Sequence, residues 1–195
     1  MMRSMKRRTV LFGVGGLAAM LSAGWFAWRE SSRKAPMANR TAALGTAPSR
    51  ATPSASVLLQ ATLPDLEGKD VAFSHFSGQP VVVNFWATWC APCVEEMPEL
   101  NLMAKDFPNV HFVGIGVDTV DNIRQFVDKV RVSYTLLTVG NAGVAMMRAL
   151  GNPTGGLPFT VMLDAEGNMI DTILGQVKSA DLRARITSIV TKSKT

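Results

Sequence analysis

The first strong pattern in the chain is an apolar run at its beginning. From Thr9 to Trp28 no charged residue occurs. About 20 helical residues at 1.5 Å each span about 30 Å, the hydrocarbon thickness of a bilayer. Ser31 to Ser56 then shows no apolar periodicity and is rich in Ala, Ser, Thr and Pro, as in a flexible tether. From Val57 onward the pattern is that of a folded domain. "LPDLEGKDVAFSHFSGQP" predicts a short hairpin around Glu67-Gly68 and a turn before Pro80. "VVVNFWA", Val81 to Ala87, is apolar throughout but for Asn84, as in a strand covered on both faces.

Helical spacing follows from Cys93 to Phe107, with Met97, Leu100, Met103 and Ala104 on one face. "VHFVGIGVD" predicts a second buried strand. Two such strands around one helix form a βαβ unit, whose strands run parallel. Asp121 to Val130 reads as a helix, Tyr134 to Val139 as a short strand, and Val144 to Leu150 as a helix ended by Gly151 and Pro153. "PFTVMLD" and "MIDTILG", joined by "AEGN", predict an antiparallel pair. Ser179 to Val190 closes the domain as a helix with Leu182, Ile186, Ile189 and Val190 on one side. The expected fold class is α/β, a mixed central sheet with helices on both faces.

Charge sharpens the division. The net +5 combines a basic beginning and an acidic remainder: nine Lys/Arg against one acid up to Ser56, then eleven against fourteen. The folded part is therefore not the basic surface that nucleic-acid binding requires. Arg3, Lys6, Arg7 and Arg8 precede the apolar run, and Trp25 and Trp28 lie at its far end. By the positive-inside rule the domain is expected outside the cytoplasm. Residues 1–30 are thus expected to form a signal-anchor or a cleaved signal peptide, with Ser22-Ala23-Gly24 as the best cleavage site. "KRRTVLF" also loosely resembles a twin-arginine signal. Residues 31–56 are expected as linker and 57–195 as the domain. The location is then a single-pass inner-membrane protein facing the periplasm, or a soluble periplasmic one if the segment is cleaved.

The only two cysteines, Cys90 and Cys93, stand three positions apart in "FWATWCAPC". Haem attachment requires His next, and position 94 is Val. Structural zinc requires four ligands, and nothing in the spacing brings His75 and His111 to the cysteines. A purely structural disulfide would close so small a loop that it would stabilise little. Redox chemistry fits the placement, where a buried strand ends and a helix begins. There the helix N-terminus favours a Cys90 thiolate. Cys93, one turn later, can resolve a mixed disulfide. No bound cofactor or metal is expected beyond this redox-active pair; Met146 and Met147, at helical spacing, read as core filler rather than copper ligands.

"NFWATWCAPC" followed by "EEMPEL" resembles the thioredoxin superfamily, in particular its membrane-tethered TlpA/ResA-like thiol–disulfide oxidoreductases, over roughly Leu59 to Val190. "GLPFTVMLDAEG" carries the same resemblance. It implies a thioredoxin-like fold with an N-terminal hairpin and a central α-β insert, and a cis bond between Leu157 and Pro158 facing the disulfide. Asn84 departs from the pattern, since thioredoxin has a buried Asp there. Glu96, three residues after Cys93, is implied as the acid that tunes the cysteines or moves their proton; the alternative for it is a solvated helix residue. Glu95 and Glu99 read as solvated face and Trp86 as core. Trp89, Leu157 and Pro158 are expected to contact substrate. The implied activity is reduction of disulfides in exported proteins, apocytochromes c among them, with a membrane electron donor of the DsbD/CcdA type. A dedicated cytochrome c maturation role usually carries an acid after the proline, where this chain has Phe159. The peroxidase pattern Pro-x-x-x-Thr-x-x-Cys is absent, and a copper chaperone of the Sco type needs Cys-x-x-x-Cys.

Overall fold

A computed structural model describes residues 53–192. The expected membrane segment and nearly all of the expected linker lie outside the described residues. Among the described residues no helix is long and apolar enough to cross a membrane.

The chain begins with a short helix α1 (Ser56–Leu59) and a hairpin of β1 (Thr62–Pro64) and β2 (Asp70–Ala72). Gly68 turns the hairpin with φ of 86°, a conformation in which a Cβ is costly. A 3-10 turn, Phe73–Phe76, leads to β3 (Val81–Trp86), α2 (Ala91–Asp106) and β4 (His111–Gly116). Helix α3 (Val120–Val127), strand β5 (Thr135–Thr138) and helix α4 (Gly143–Ala149) follow. Strands β6 (Phe159–Leu163) and β7 (Met169–Leu174) and helix α5 (Ser179–Lys192) complete the domain.

The main sheet has the order β5-β4-β3-β6-β7. β3 pairs parallel with β4 and antiparallel with β6, so it is central. The α-β pair expected as an insert contributes β5, which lies parallel to β4 at the sheet edge. The expected continuous burial of β3 is explained by its two covered faces. Val81, Val83 and Phe85 pack with Leu58, Phe73, Met147 and Leu150 on one side. Val82 meets Leu100, Met103, Leu182 and Ile186 on the other, where Trp86 packs with Met97 and Ile123. This is the period-2 alternation of a strand between two helical layers.

Three local features differ from the expected layout. Ser54 to Ser56, placed in the linker by composition, are tied to the domain: Ala55 is buried and the Ser54 amide donates to the Ala149 carbonyl at 3.2 Å, while both serines stay exposed. Helix α3 ends at Val127 rather than Val130. His75 and His111, far apart in sequence, both make edge contacts with the Phe76 ring, with centroids 5.8 and 5.4 Å from it. Burial, and then repulsion from His75, push the His111 pKa down.

Candidate active site

Cys90 is the N-cap of α2, in extended conformation, and Cys93 lies in the first turn of that helix. Pro92 occupies the first turn, where its missing N–H leaves no helical bond unmade. The two cysteines form a disulfide with a Cα–Cα distance of 5.3 Å. Cys93 is fully buried, whereas Cys90 is 6% exposed and its neighbours Ala91 and Pro92 are open to solvent. The outer cysteine is thus the one an incoming sulfur can reach. Trp89 beside it is 70% exposed, an unusual position for an indole. Trp86, by contrast, is fully buried in the core.

The Leu157–Pro158 peptide bond is cis. Leu157 packs against the cluster that contains Cys90 and Cys93. The antiparallel register Phe85↔Phe159 sets the start of β6 beside the end of β3. That pairing brings the proline loop to the cysteines.

Glu96 is not the solvated helix residue that was the alternative for it. It is 2% exposed, on the buried face of α2 with Cys93 one turn before it. Asn84 of β3 donates from Nδ2 to Glu96 Oε1 at 2.8 Å and to Thr160 Oγ1 at 3.2 Å. The Val177 amide donates to Glu96 Oε2 at 2.9 Å. Burial raises the Glu96 pKa above the ordinary carboxylate value, and these two donors pull partly against it. Burial first, and the Glu96 charge second, push the Tyr134 pKa up. Asn84 now has a physical reason. A second carboxylate at this strand position would face Glu96 across a hydrogen-bond distance, and like charges so placed cannot both ionise. The buried acid has moved from strand to helix, and the strand supplies an amide to hold it. Glu95 and Glu99 are exposed.

One further polar group at the site, Asp118, carries no motif in the sequence. Asp118, just past the end of β4, accepts from the Thr88 hydroxyl at 2.5 Å and the Thr88 amide at 3.2 Å. It also accepts from the Thr119 amide and from Asn122 Nδ2. The strand register brings the two residues together: Trp86 pairs with Gly116, so Thr88 and Asp118 leave the sheet side by side at the same offset.

A redox-active Cys-x-x-Cys at a helix N-terminus, faced by a cis-proline loop in a thioredoxin-like fold, defines a thiol–disulfide oxidoreductase. Residues 56–194 match the AhpC/TSA family, and the chain belongs to it. Among its relatives is "Thiol-disulfide oxidoreductase ResA" of Geobacillus thermodenitrificans, 29% identical over 131 residues, or 65% of this chain and 72% of the relative. Two solved structures are similar in fold and sequence. MTB DsbF, in mixed oxidized and reduced forms, has a TM-score of 0.60 and 30% identity, covering 68% of this chain and 97% of that one. A secreted Mycobacterium tuberculosis disulfide oxidoreductase, homologous to E. coli DsbE, has a TM-score of 0.57 and 27% identity, covering 67% and 96%. The chain is accordingly a TlpA/ResA-like enzyme of the thioredoxin superfamily.

Proposed function

We propose that the protein works outside the cytoplasm as a reductase of disulfides in other exported polypeptides. The observation that carries the reading is the buried acid behind a half-open cysteine pair: Glu96 at 2% exposure, Cys93 sealed, Cys90 at the surface edge. In the dithiol form the Cys90 thiolate attacks one sulfur of a substrate disulfide. The S–S bond breaks, a mixed disulfide forms, and the first substrate sulfur leaves. Cys93 gives its proton to Glu96 and attacks the Cys90 sulfur. The Cys90–Cys93 disulfide closes, and the second substrate thiolate leaves and takes the proton from Glu96. Substrate gains two electrons and, through Glu96, the one proton that Cys93 held; its first sulfur, released as thiolate, takes a proton from solvent, and the enzyme is left oxidised. Trp89, Leu157 and Pro158 form the contact surface for the polypeptide around the attacked bond.

Apocytochromes c, whose cysteines must be reduced before haem attachment, fit this chemistry as one substrate class. A membrane electron donor of the DsbD/CcdA type returns the pair to dithiol, since an oxidising compartment supplies no other reductant. The basic flank and charge-free stretch before Trp28 support export and a membrane location, as does the description of a relative as secreted. No bound cofactor is required for the exchange. The test is the reduction potential of the full-length protein equilibrated against thiol–disulfide buffers. A value near or below about −250 mV is expected; a value near about −120 mV would reverse the electron flow.

Glu96→Gln probes the acid. With the carboxylate gone, the Cys90 thiolate titration is expected to move to lower pH, because a negative charge near a thiol opposes its ionisation. An unchanged titration curve would remove Glu96 from the chemistry. The same variant carries a stability signature. The raised Glu96 pKa means that the folded state keeps a proton which the unfolded state releases. Its favourable contribution is complete below about pH 4.3 and is lost as pH rises through the raised value. Denaturant midpoints of the oxidised protein should therefore fall less with rising pH in Glu96→Gln than in the parent.

A further inference from the structure

The turn that presents Trp89 and Cys90 is held from outside the Cys-x-x-Cys motif. The Cys90 amide donates to the Ala87 carbonyl at 3.2 Å, closing a turn over Ala87, Thr88, Trp89 and Cys90. Thr88, its second residue, is bound by both its amide and its hydroxyl to a single oxygen, Asp118 Oδ2. The other oxygen, Oδ1, takes the Thr119 amide at 2.7 Å and Asn122 Nδ2 at 2.8 Å, at the beginning of α3. Thr119 is itself the N-cap of α3 and accepts from the Asn122 amide. One carboxylate thus joins the reactive turn to a helix that packs Ile123 into the core beside Cys90 and Cys93.

From this bridge we infer that Asp118 is a positioning residue of the disulfide exchange, clamping the Ala87–Cys90 turn through Thr88 so that Cys90 meets its substrate in a fixed orientation. Charge-assisted bonds of this kind are shorter and roughly twice as strong as neutral ones. Burial alone would push the Asp118 pKa up, but the bonds from Thr88, Asn122 and Thr119 outweigh it and hold the pKa below the usual carboxylate value. The clamp is therefore charged wherever the enzyme meets near-neutral pH. Pre-set geometry matters in this reaction because the attacking sulfur must line up with the substrate S–S bond, and a displacement of about 1 Å can lower a rate about 100-fold.

The clamp is a two-residue device, and its test uses both ends in the full-length protein. Disulfide reduction is followed with an oxidised model peptide as substrate and dithiothreitol as the electron source. Asp118→Ala and Thr88→Val should each lower kcat/KM, Asp118→Ala by about tenfold. Thr88→Ser keeps the hydroxyl and should restore near-parent activity. The double variant Asp118→Ala/Thr88→Val should be no worse than Asp118→Ala alone, as expected of residues acting as a unit. Asn122→Ala removes one of the two α3 donors to Asp118 and leaves the Thr119 amide in place, so it should lower kcat/KM by less than Asp118→Ala does. Equal losses in Thr88→Ser and Thr88→Val would overturn the proposal. So would losses that multiply in the double variant, or a loss in Asn122→Ala as large as that in Asp118→Ala, which would trace the effect to α3 stability.

Discussion

Replacing Cys90 with serine is expected to abolish disulfide reduction, leaving only the background reaction of the added reductant. The thiolate is the nucleophile in this exchange, and a serine hydroxyl at the same helix N-terminus does not ionise near neutral pH. Nor can Cys93 take over, because it is fully buried behind Cys90. The fold should survive the change, since the bridge closes only the loop between positions three apart and so stabilises little. Activity measured beside a thermal melt checks both halves of the expectation. Residual turnover well above background would show that Cys93 is reachable and that the division of labour between the cysteines is wrong.

Cys93→Ser is expected to fail differently. Cys90 remains exposed enough to attack, but nothing behind it can release the substrate. The enzyme should complete the first half of the exchange and stop as a covalent adduct with the polypeptide. Mass spectrometry under non-reducing conditions would show a species equal to enzyme plus substrate, which dithiothreitol dissolves. In vivo the same variant offers a way to isolate the natural substrates. Full multiple-turnover activity in Cys93→Ser would rule out the two-step mechanism.

Much of this architecture could be read from the residues because the relevant signals are local. The apolar run from Val81, broken only by Asn84, declared a strand buried on both faces, and the "AEGN" turn declared the β6–β7 hairpin. Helix α2 showed its inner face through Met97, Leu100 and Met103, all buried in the fold. The features that escaped depend on contacts distant in sequence. Helix α1 is only four residues long and sits where composition suggested a tether; it is held by burial of Leu58 rather than by intrinsic helix propensity. The burial of Glu96 depends on Asn84 and on Val177, which lies 81 residues further along the chain. A glutamate in "VEEMPEL" could equally face water, and only the packed sheet and the β7–α5 loop decide the matter. The Thr88–Asp118 clamp was hidden because neither residue is unusual by itself.

The pairing of β3 with β6 also governs how the enzyme comes into being. A chain emerging from the ribosome releases both cysteines well before β6 has been made. With no third thiol in the sequence, their only internal partner is each other, so the newborn chain cannot scramble its bridge. Yet the closed bridge does not make an enzyme. The proline loop and the Val177 amide that holds Glu96 come later in the chain. Early closure of the bridge thus leaves no mispairing between cysteines to undo, and competence for exchange waits until the second half of the sheet docks on the first.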